Sequence, residues 1–346
     1  MNRTNNDTIT RSSLEIISLS VSLAIIVALS LFGNFLLILA FIRNGRLRAS
    51  FANKLIMSLA MADFLTAAFP LTYQLATVIN NDIIRNGGFL CTVGGLTSYS
   101  FFFTSVFTLV MLSVDRFLAL GFPLRYNRWM NPKTKVVIIA YPWIHGALFF
   151  ILCAATLEVT YQPFDCSLSW STRPLAFTLS IMMIHVGFPL CILIALNTWT
   201  QILVRAQNRR IMDYDSSEGA RGNSIFRNRT QQAQNRRANI EFKLAKVSVV
   251  IIFVFLACWT PYVVTRTLSF VGASLSSGIK SAAAWCVHAS SFVNPIIYSS
   301  LRADLRKEMF RVFGICKWKT DKSGSSGQND SSVATRNISS VLPRIE

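Results

Sequence analysis

Two groups of residues in this sequence could do chemistry where chemistry is costly. Asp63, within Leu59-Ala-Met-Ala-Asp63, stands in the middle of an apolar run with no basic residue nearby. A carboxylate inside a bilayer-length segment is a functional-site hypothesis by default. It needs a proton, a bound cation or a polar cluster, and Ser105, Ser290, Ser291 and Asn294 of other apolar runs are candidates for the cluster. The second group is Ser113-Val-Asp115-Arg116-Phe117, an adjacent acid and base at the end of a run over about residues 90–121. A lone Arg there would be read as snorkelling to the headgroups, and Asp115 weakens that reading.

Neither group forms an enzyme's site. Catalysis needs a convergent nucleophile, base or metal, and the three His and scattered Cys show no metal-ligand spacing. A transporter or channel built on Asp63 is the alternative class. Transporters tend to carry internal repeats, and none is visible.

The elements that position these residues are apolar runs at about 16–42, 51–79, 90–121, 134–157, 175–204, 244–271 and 279–300. Each is near or above the ~20 residues that cross a hydrocarbon core. With 52% hydrophobic residues in 346, the chain reads as an all-α membrane protein, a bundle of seven transmembrane helices. Of the 34 Lys and Arg, only Arg3, Arg11, Arg85, Arg173, Arg266 and Lys280 fall on the outer side if the amino terminus is extracellular. That bias sets the expected orientation, with the carboxyl terminus cytoplasmic. The formal charge of +18 is juxtamembrane, which points to the anionic inner leaflet and not to nucleic acid. The first dozen residues are polar, so the first span is expected to direct insertion.

Asn2 and Asn6 head N-x-[ST] sequons on the exposed amino terminus, expected sites of glycosylation. Cys91, at the outer start of the third span, and Cys166, in the loop after the fourth, both face the oxidising side and are the expected disulfide pair. Residues 206–238 read as a polar loop. After the seventh span, residues 302–316 read as a short amphipathic eighth helix, with Leu305, Met309, Phe310 and Phe313 on one face, lying along the membrane surface. Cys316 fits juxtamembrane palmitoylation, and residues 317–346 read as a disordered tail. The expected organisation is therefore 1–14 extracellular, 15–301 bundle, 302–316 helix and 317–346 tail.

Over about residues 15–316 the chain resembles the rhodopsin-like (class A) G-protein-coupled receptors. The resemblance is carried by Gly33-Asn34, Leu59 to Asp63, Cys91 with Cys166, Asp115-Arg116-Phe117, Trp143, Pro189, Cys258-Trp259-Thr260-Pro261 within Phe255 to Tyr262, and Asn294-Pro295-Ile-Ile-Tyr298. It implies that Asp63, Ser105, Trp259, Ser291 and Asn294 form an allosteric sodium site, with no other metal or cofactor. It implies an activation switch in which Arg116 pairs with Asp115 and Glu241, Trp259 and Pro261 act as sensor and hinge, Phe255, Val106 and Pro189 form the packing relay below, and Asn294, Pro295 and Tyr298 belong to the same switch. Outward movement of the sixth helix would then admit a heterotrimeric G protein, followed by receptor kinases and arrestin, at the plasma membrane. Three positions depart from the pattern: Phe117 stands for the usual Tyr, Asn197 for a Tyr eight residues after Pro189, and Cys153 for a Pro ten residues after Trp143.

The ligand class is read from the outer half of the bundle. Ser98 stands where amine receptors carry Asp, and His288 where opsins carry the retinal-linking Lys. The sequence therefore reads as neither aminergic nor opsin. The expected pocket is Ser98, Tyr99, Phe102, Phe103, His185, Tyr262, Arg266, Ala284 and His288, for a small molecule or short peptide. Arg266 faces either the pocket, favouring an anionic or carbonyl-bearing ligand, or the headgroups.

Overall fold

The computed structural model describes residues 12–80, 89–157, 159–162, 165–168, 174–218, 247, 249–269 and 272–312. Asn2, Asn6, Glu241, Phe313 and Cys316 lie outside the described residues. The long helices are α1 (Ser13–Arg43), α2 (Phe51–Ile79), α3 (Phe89–Gly121), α4 (Pro132–Thr156), α5 (Leu175–Met182, Met183–Gly187 and Phe188–Glu218 in succession), α6 (Val249–Ser269) and α7 (Ser277–Leu301). A shorter α8 (Ala303–Val312) follows. By length and composition α1 to α6 are apolar enough to cross a membrane. Beyond the helices the described residues include a hairpin of β1 (Val159–Gln162) and β2 (Asp165–Leu168), antiparallel, with Tyr161 opposite Cys166.

Local chemistry sets the boundaries. Ser12 accepts from the Glu15 amide at 3.2 Å, opening α1 with a Ser-x-x-Glu start. Asn131 accepts from the Thr134 amide at 2.9 Å with Pro132 at the first helical position of α4. Ser276 caps α7 in the same way. Two helices widen into π turns, at Ala67–Leu71 around Pro70 and at Met183–Gly187 just before Pro189, as a missing proline donor permits. One expectation is corrected: α5 continues to Glu218 where the sequence reads as a polar loop from 206. Arg, Gln, Met and Ile sustain a helix even when solvated, and no Gly or Pro intervenes before Gly219.

Helix α3 is the axis of the bundle, packed against α2, α4 and α5, while α1 packs against α2, α7 and α8. The α3–α4 crossing is very close. Ser100 Oγ donates to Gly146 O at 2.5 Å, and Thr104 Oγ1 reaches Pro142 O at 3.3 Å. A Cβ at Gly146 would sit 2.3 Å from Thr104 Oγ1 and 2.8 Å from Ser100 O. Small residues and interhelical hydrogen bonds of this kind join helices where the solvent is as apolar as Leu. Trp143 Nε1 to Ser58 Oγ (2.8 Å) ties α4 to α2, and Trp285 Nε1 to Ser22 Oγ (2.9 Å) ties α7 to α1. Large apolar side chains such as Phe32, Phe35, Ile144 and Phe188 point outward.

The α7–α8 junction is organised by Arg302, which is buried. Its guanidinium donates to Asn53 Oδ1 of α2 at 2.6 Å and pairs with Asp304 of α8 at 2.6 Å. Burial raises the Asp304 carboxyl and the Arg302 bond lowers it, leaving it below its ordinary 3.8. A depressed carboxylate contributes stability above its unfolded value and loses it as pH falls through the folded one, so this junction is expected to hold until the pH drops below about 4. Leu305 and Met309 are buried, but Phe310 is 46% exposed, so the apolar face divides between core and surroundings. Asn53→Ala would leave the Arg302 guanidinium partly unpaired. We expect a loss of about 1–3 kcal/mol, read as a lower melting temperature of the purified protein, whereas an unchanged value would show the contact to be idle.

Candidate functional site

At one end of α3 the buried acid and base of the sequence meet each other. Asp115 is fully buried and Arg116 is 6% exposed. Arg116 donates to Asp115 Oδ2 through Nε at 3.0 Å and Nη2 at 2.5 Å. Tyr126, in the short helix Pro123–Trp129 after α3, donates to Asp115 Oδ1 at 2.6 Å. Both carboxylate oxygens are thus used. Sequence reasoning missed Tyr126, because only the fold of the intervening turn brings it back eleven residues. Glu241, the expected partner across the bundle, lies outside the described residues. Phe117 packs edge-on against Phe122 and Trp199. Asn197 is buried and donates to Ser113 Oγ at 2.9 Å, fastening α5 to α3 one turn before Arg116.

Mid-bundle, Asp63 is buried and no Lys or Arg meets it among the described residues. Ser105 Oγ donates to Oδ1 at 2.9 Å and Asn294 Nδ2 to Oδ2 at 2.8 Å, so α3 and α7 both converge on α2. Asn34 Nδ2 bridges to Ser291 O at 3.0 Å, and Gly33 brings Pro295 against α1, leaving its absent Cβ 3.1 Å from the ring. Asp63, Ser105, Ser290 and Ser291, which carry carboxylate and hydroxyl oxygens, line one cavity. Hard oxygen donors around a carboxylate fit a hard cation. Trp259 is different, since an indole N–H only donates and so cannot ligate. Its Nε1, like the Tyr298 hydroxyl, is buried without a partner among the described residues.

The same cavity, of about 150 Å³, runs from Asp63 and Asn294 past Trp259 to Tyr73, Gln74 and Arg266 at the hairpin end. Ser98, Tyr99, Phe102, Phe103, Tyr262, Arg266, Ala284 and His288 line it. The Arg266 guanidinium carbon lies 5.1 Å from the Tyr262 ring centroid, at an exposed position on the cavity's rim. Phe102 stacks on Trp259 at 4.0 Å, and Phe255 also stacks on it at 5.6 Å. His185 is placed elsewhere than expected: its Nδ1 meets His145 Nε2 at 2.9 Å within a cage of Phe103 and Phe149. The π turn at Met183–Gly187 aims it toward α4. Tyr73, Gln74 and Thr77 line the cavity too and were missed; the Pro70 distortion that turns them inward gave no signal of which face they would take.

Cys91 is disulfide-bonded and buried where α3 begins, and the strand carrying Cys166 packs against α3. Cys153, Cys191, Cys258 and Cys286 are free. His, Cys, Asp and Glu form no group of three suited to a metal among the described residues.

Residues 33–298 match the family model of the 7 transmembrane receptor (rhodopsin family). The chain is 27% identical over 292 residues to a melanopsin of Podarcis siculus, covering 82% of this chain and 59% of the relative. It is 26% identical over 305 residues to somatostatin receptor type 5 of Rattus norvegicus, covering 83% and 75%, and 26% identical over 312 residues to a D(1)-like dopamine receptor of Oreochromis mossambicus, covering 86% and 78%. The chain spans 53% to 65% of the length of the opsin relatives it matches first. The crystal structure of squid rhodopsin superposes with a TM-score of 0.76 at 23% identity, over 88% of this chain and 87% of the other. Seven consecutive helices with the Asp63, Arg116, Trp259 and Asn294 constellation, and a family match across most of them, place this multi-pass membrane chain in the rhodopsin family of seven-transmembrane receptors.

Proposed function

We propose that the chain is a plasma-membrane receptor, amino terminus outside, that binds an extracellular small molecule or short peptide and activates a heterotrimeric G protein through the Arg116 end of the bundle. The observation that carries this is the continuity of the cavity: ligand space at Arg266 and His288 reaches Trp259 and the Asp63 cluster without a break. A ligand can shift an equilibrium only by its differential affinity for the two states. Moving the population from 1:99 to 99:1 takes about 10⁴-fold tighter binding to the open state, and groups touching both ligand and Trp259 are where that difference can arise.

The relatives' names cover light-sensing opsins, amine receptors and a peptide receptor. Ser98 and His288 supply neither the carboxylate for an ammonium nor the amine for a Schiff base, which favours a ligand outside the first two classes. A sodium ion, if bound, would be held by Asp63 with Ser105 and Ser291, stabilising the closed arrangement by supplying the carboxylate's counter-charge. Receptor kinases and arrestin would act on the same open state. A transporter or channel built on Asp63 remains the competing class, and the dead-end bonding of Asp63 to Ser105 and Asn294 does not favour it.

The decisive experiment is a cell assay reading several G-protein pathways and solute flux against a ligand panel. Ligand-dependent coupling supports the receptor reading, and flux with no coupling overturns it. In the same assay Arg116→Ala should abolish most coupling at matched surface expression while leaving ligand binding within about threefold, an interval set by a loss of under 1 kcal/mol. For Arg266→Ala, a rim-exposed charge is worth about 0.5–1.5 kcal/mol to an anion. An anionic agonist should therefore weaken about threefold to tenfold and a neutral one hardly at all; equal effects would assign Arg266 to the headgroups.

A further inference from the structure

Between α3, α5 and α6 lies a second cavity, also of about 150 Å³, separated from the first by the stacked rings of Phe102, Trp259 and Phe255. Its walls are aliphatic and aromatic, with Leu190 on α5 and Val263 and Val264 on α6. Val263 and Val264 are 45% and 48% exposed on the outward, apolar surface of the bundle, so the cavity borders the lipid side. Among the described residues its one ionisable lining group is His185, more than nine-tenths buried. Nδ1 of this ring is taken by His145, and Nε2 has no hydrogen-bond partner among the described residues. The π turn that carries His185 is a common device for placing a functional side chain.

We propose that this cavity is a second binding site, reached from the bilayer, for the ring of a membrane-partitioned aromatic alcohol whose hydroxyl bonds to His185 Nε2. Size and chemistry both point there. A dry apolar cavity of about 150 Å³ holds one benzene-sized ring. A hydroxyl reaching the free ring nitrogen adds one hydrogen bond to the apolar contacts of the ring. The hydroxyl suits either tautomer: if His185 Nδ1 accepts from His145, Nε2 is a donor, and if Nδ1 donates, Nε2 is an acceptor. An occupant would press on Trp259 and Phe255 from the side opposite the main cavity, and so bias the same sensor without competing for the space at Arg266.

The test uses the full chain in phosphatidylcholine nanodiscs, with 4-hexylphenol and the matched hydrocarbon hexylbenzene as probes, read by thermal shift and by quenching of tryptophan fluorescence. Neither readout depends on G-protein coupling, so failure here is distinct from failure of the receptor reading. We expect saturable binding of 4-hexylphenol, tighter than hexylbenzene by about fivefold. His185→Phe should erase that preference while still admitting both probes. Leu190→Trp, which fills the space while keeping both histidines, should abolish saturable binding of both. Saturable binding unchanged by Leu190→Trp, a phenol preference that survives His185→Phe, or only linear partitioning into the lipid would each overturn the proposal.

Discussion

Gly146→Val should remove most of the protein from the cell surface and lower the melting temperature of what remains by several degrees. The backbone of α4 at Gly146 lies against α3 so closely that even the first carbon of a side chain would stand 2.3 Å from Thr104 Oγ1 and 2.8 Å from the Ser100 carbonyl. The first neighbour can turn aside, but the second is main chain in the middle of the central helix. Relief requires α3 and α4 to separate, which breaks the bond from Ser100 Oγ to Gly146 O and the reach of Thr104 to Pro142 O. Overpacking alone costs about 1–3 kcal/mol, and each lost buried bond adds about 1 kcal/mol. Gly146→Ala should show a smaller version of the same loss, and Thr104→Ala in that background should recover part of it but not all, because the Ser100 carbonyl stays. The double-mutant cycle isolates the Thr104 share. Wild-type stability of Gly146→Ala would show that the crossing is looser than the structure has it.

That contact illustrates what sequence reading reaches in a membrane bundle. Spans, their order and the charged residues inside them are legible, because apolar runs of sufficient length and carboxylates within them are rare. Asp63 with Ser105 and Asn294 is such a case, three polar residues in three spans that the fold brings within hydrogen-bond distance. Helix rotation is much less legible. A span facing lipid on one side and apolar neighbours on the other has little amphipathic signal, so nothing in the sequence says that Gly146 faces Ser100, that His185 turns to His145 and not to the main cavity, or that Asn53 receives Arg302. The π turns at Pro70 and before Pro189 compound this by resetting the phase of α2 and α5 midway. Asn197 shows the same limit: its departure from the family pattern is visible in the sequence, whereas its bond to Ser113 is a property of the packed helices.

The Asp115 carboxylate is where the largest functional change is expected. It accepts from two nitrogens of Arg116 and from the Tyr126 hydroxyl, with Asp115 and Arg116 buried and Tyr126 half-buried at the rim. An exposed ion pair would be worth under 1 kcal/mol. Breaking a buried pair by removing one partner costs about 3–5 kcal/mol, because the remaining charge is left uncompensated. Asp115→Asn keeps the shape and removes the charge, so Arg116 should leave its present position for water or for another acceptor. If that position belongs to the closed state, each 1.4 kcal/mol of its destabilisation raises the open fraction about tenfold. Ligand-independent signalling should therefore rise several-fold while the melting temperature falls. Tyr126→Phe removes one hydroxyl and leaves the ion pair, at a cost of about 1 kcal/mol, so its effect should have the same sign and be clearly smaller. The order Asp115→Asn above Tyr126→Phe above wild type, in basal signal per surface receptor, ties the effect to this carboxylate. A reversed order, or a quiet Asp115→Asn of unchanged stability, would mean that the Arg116 pairing is not what holds the closed state.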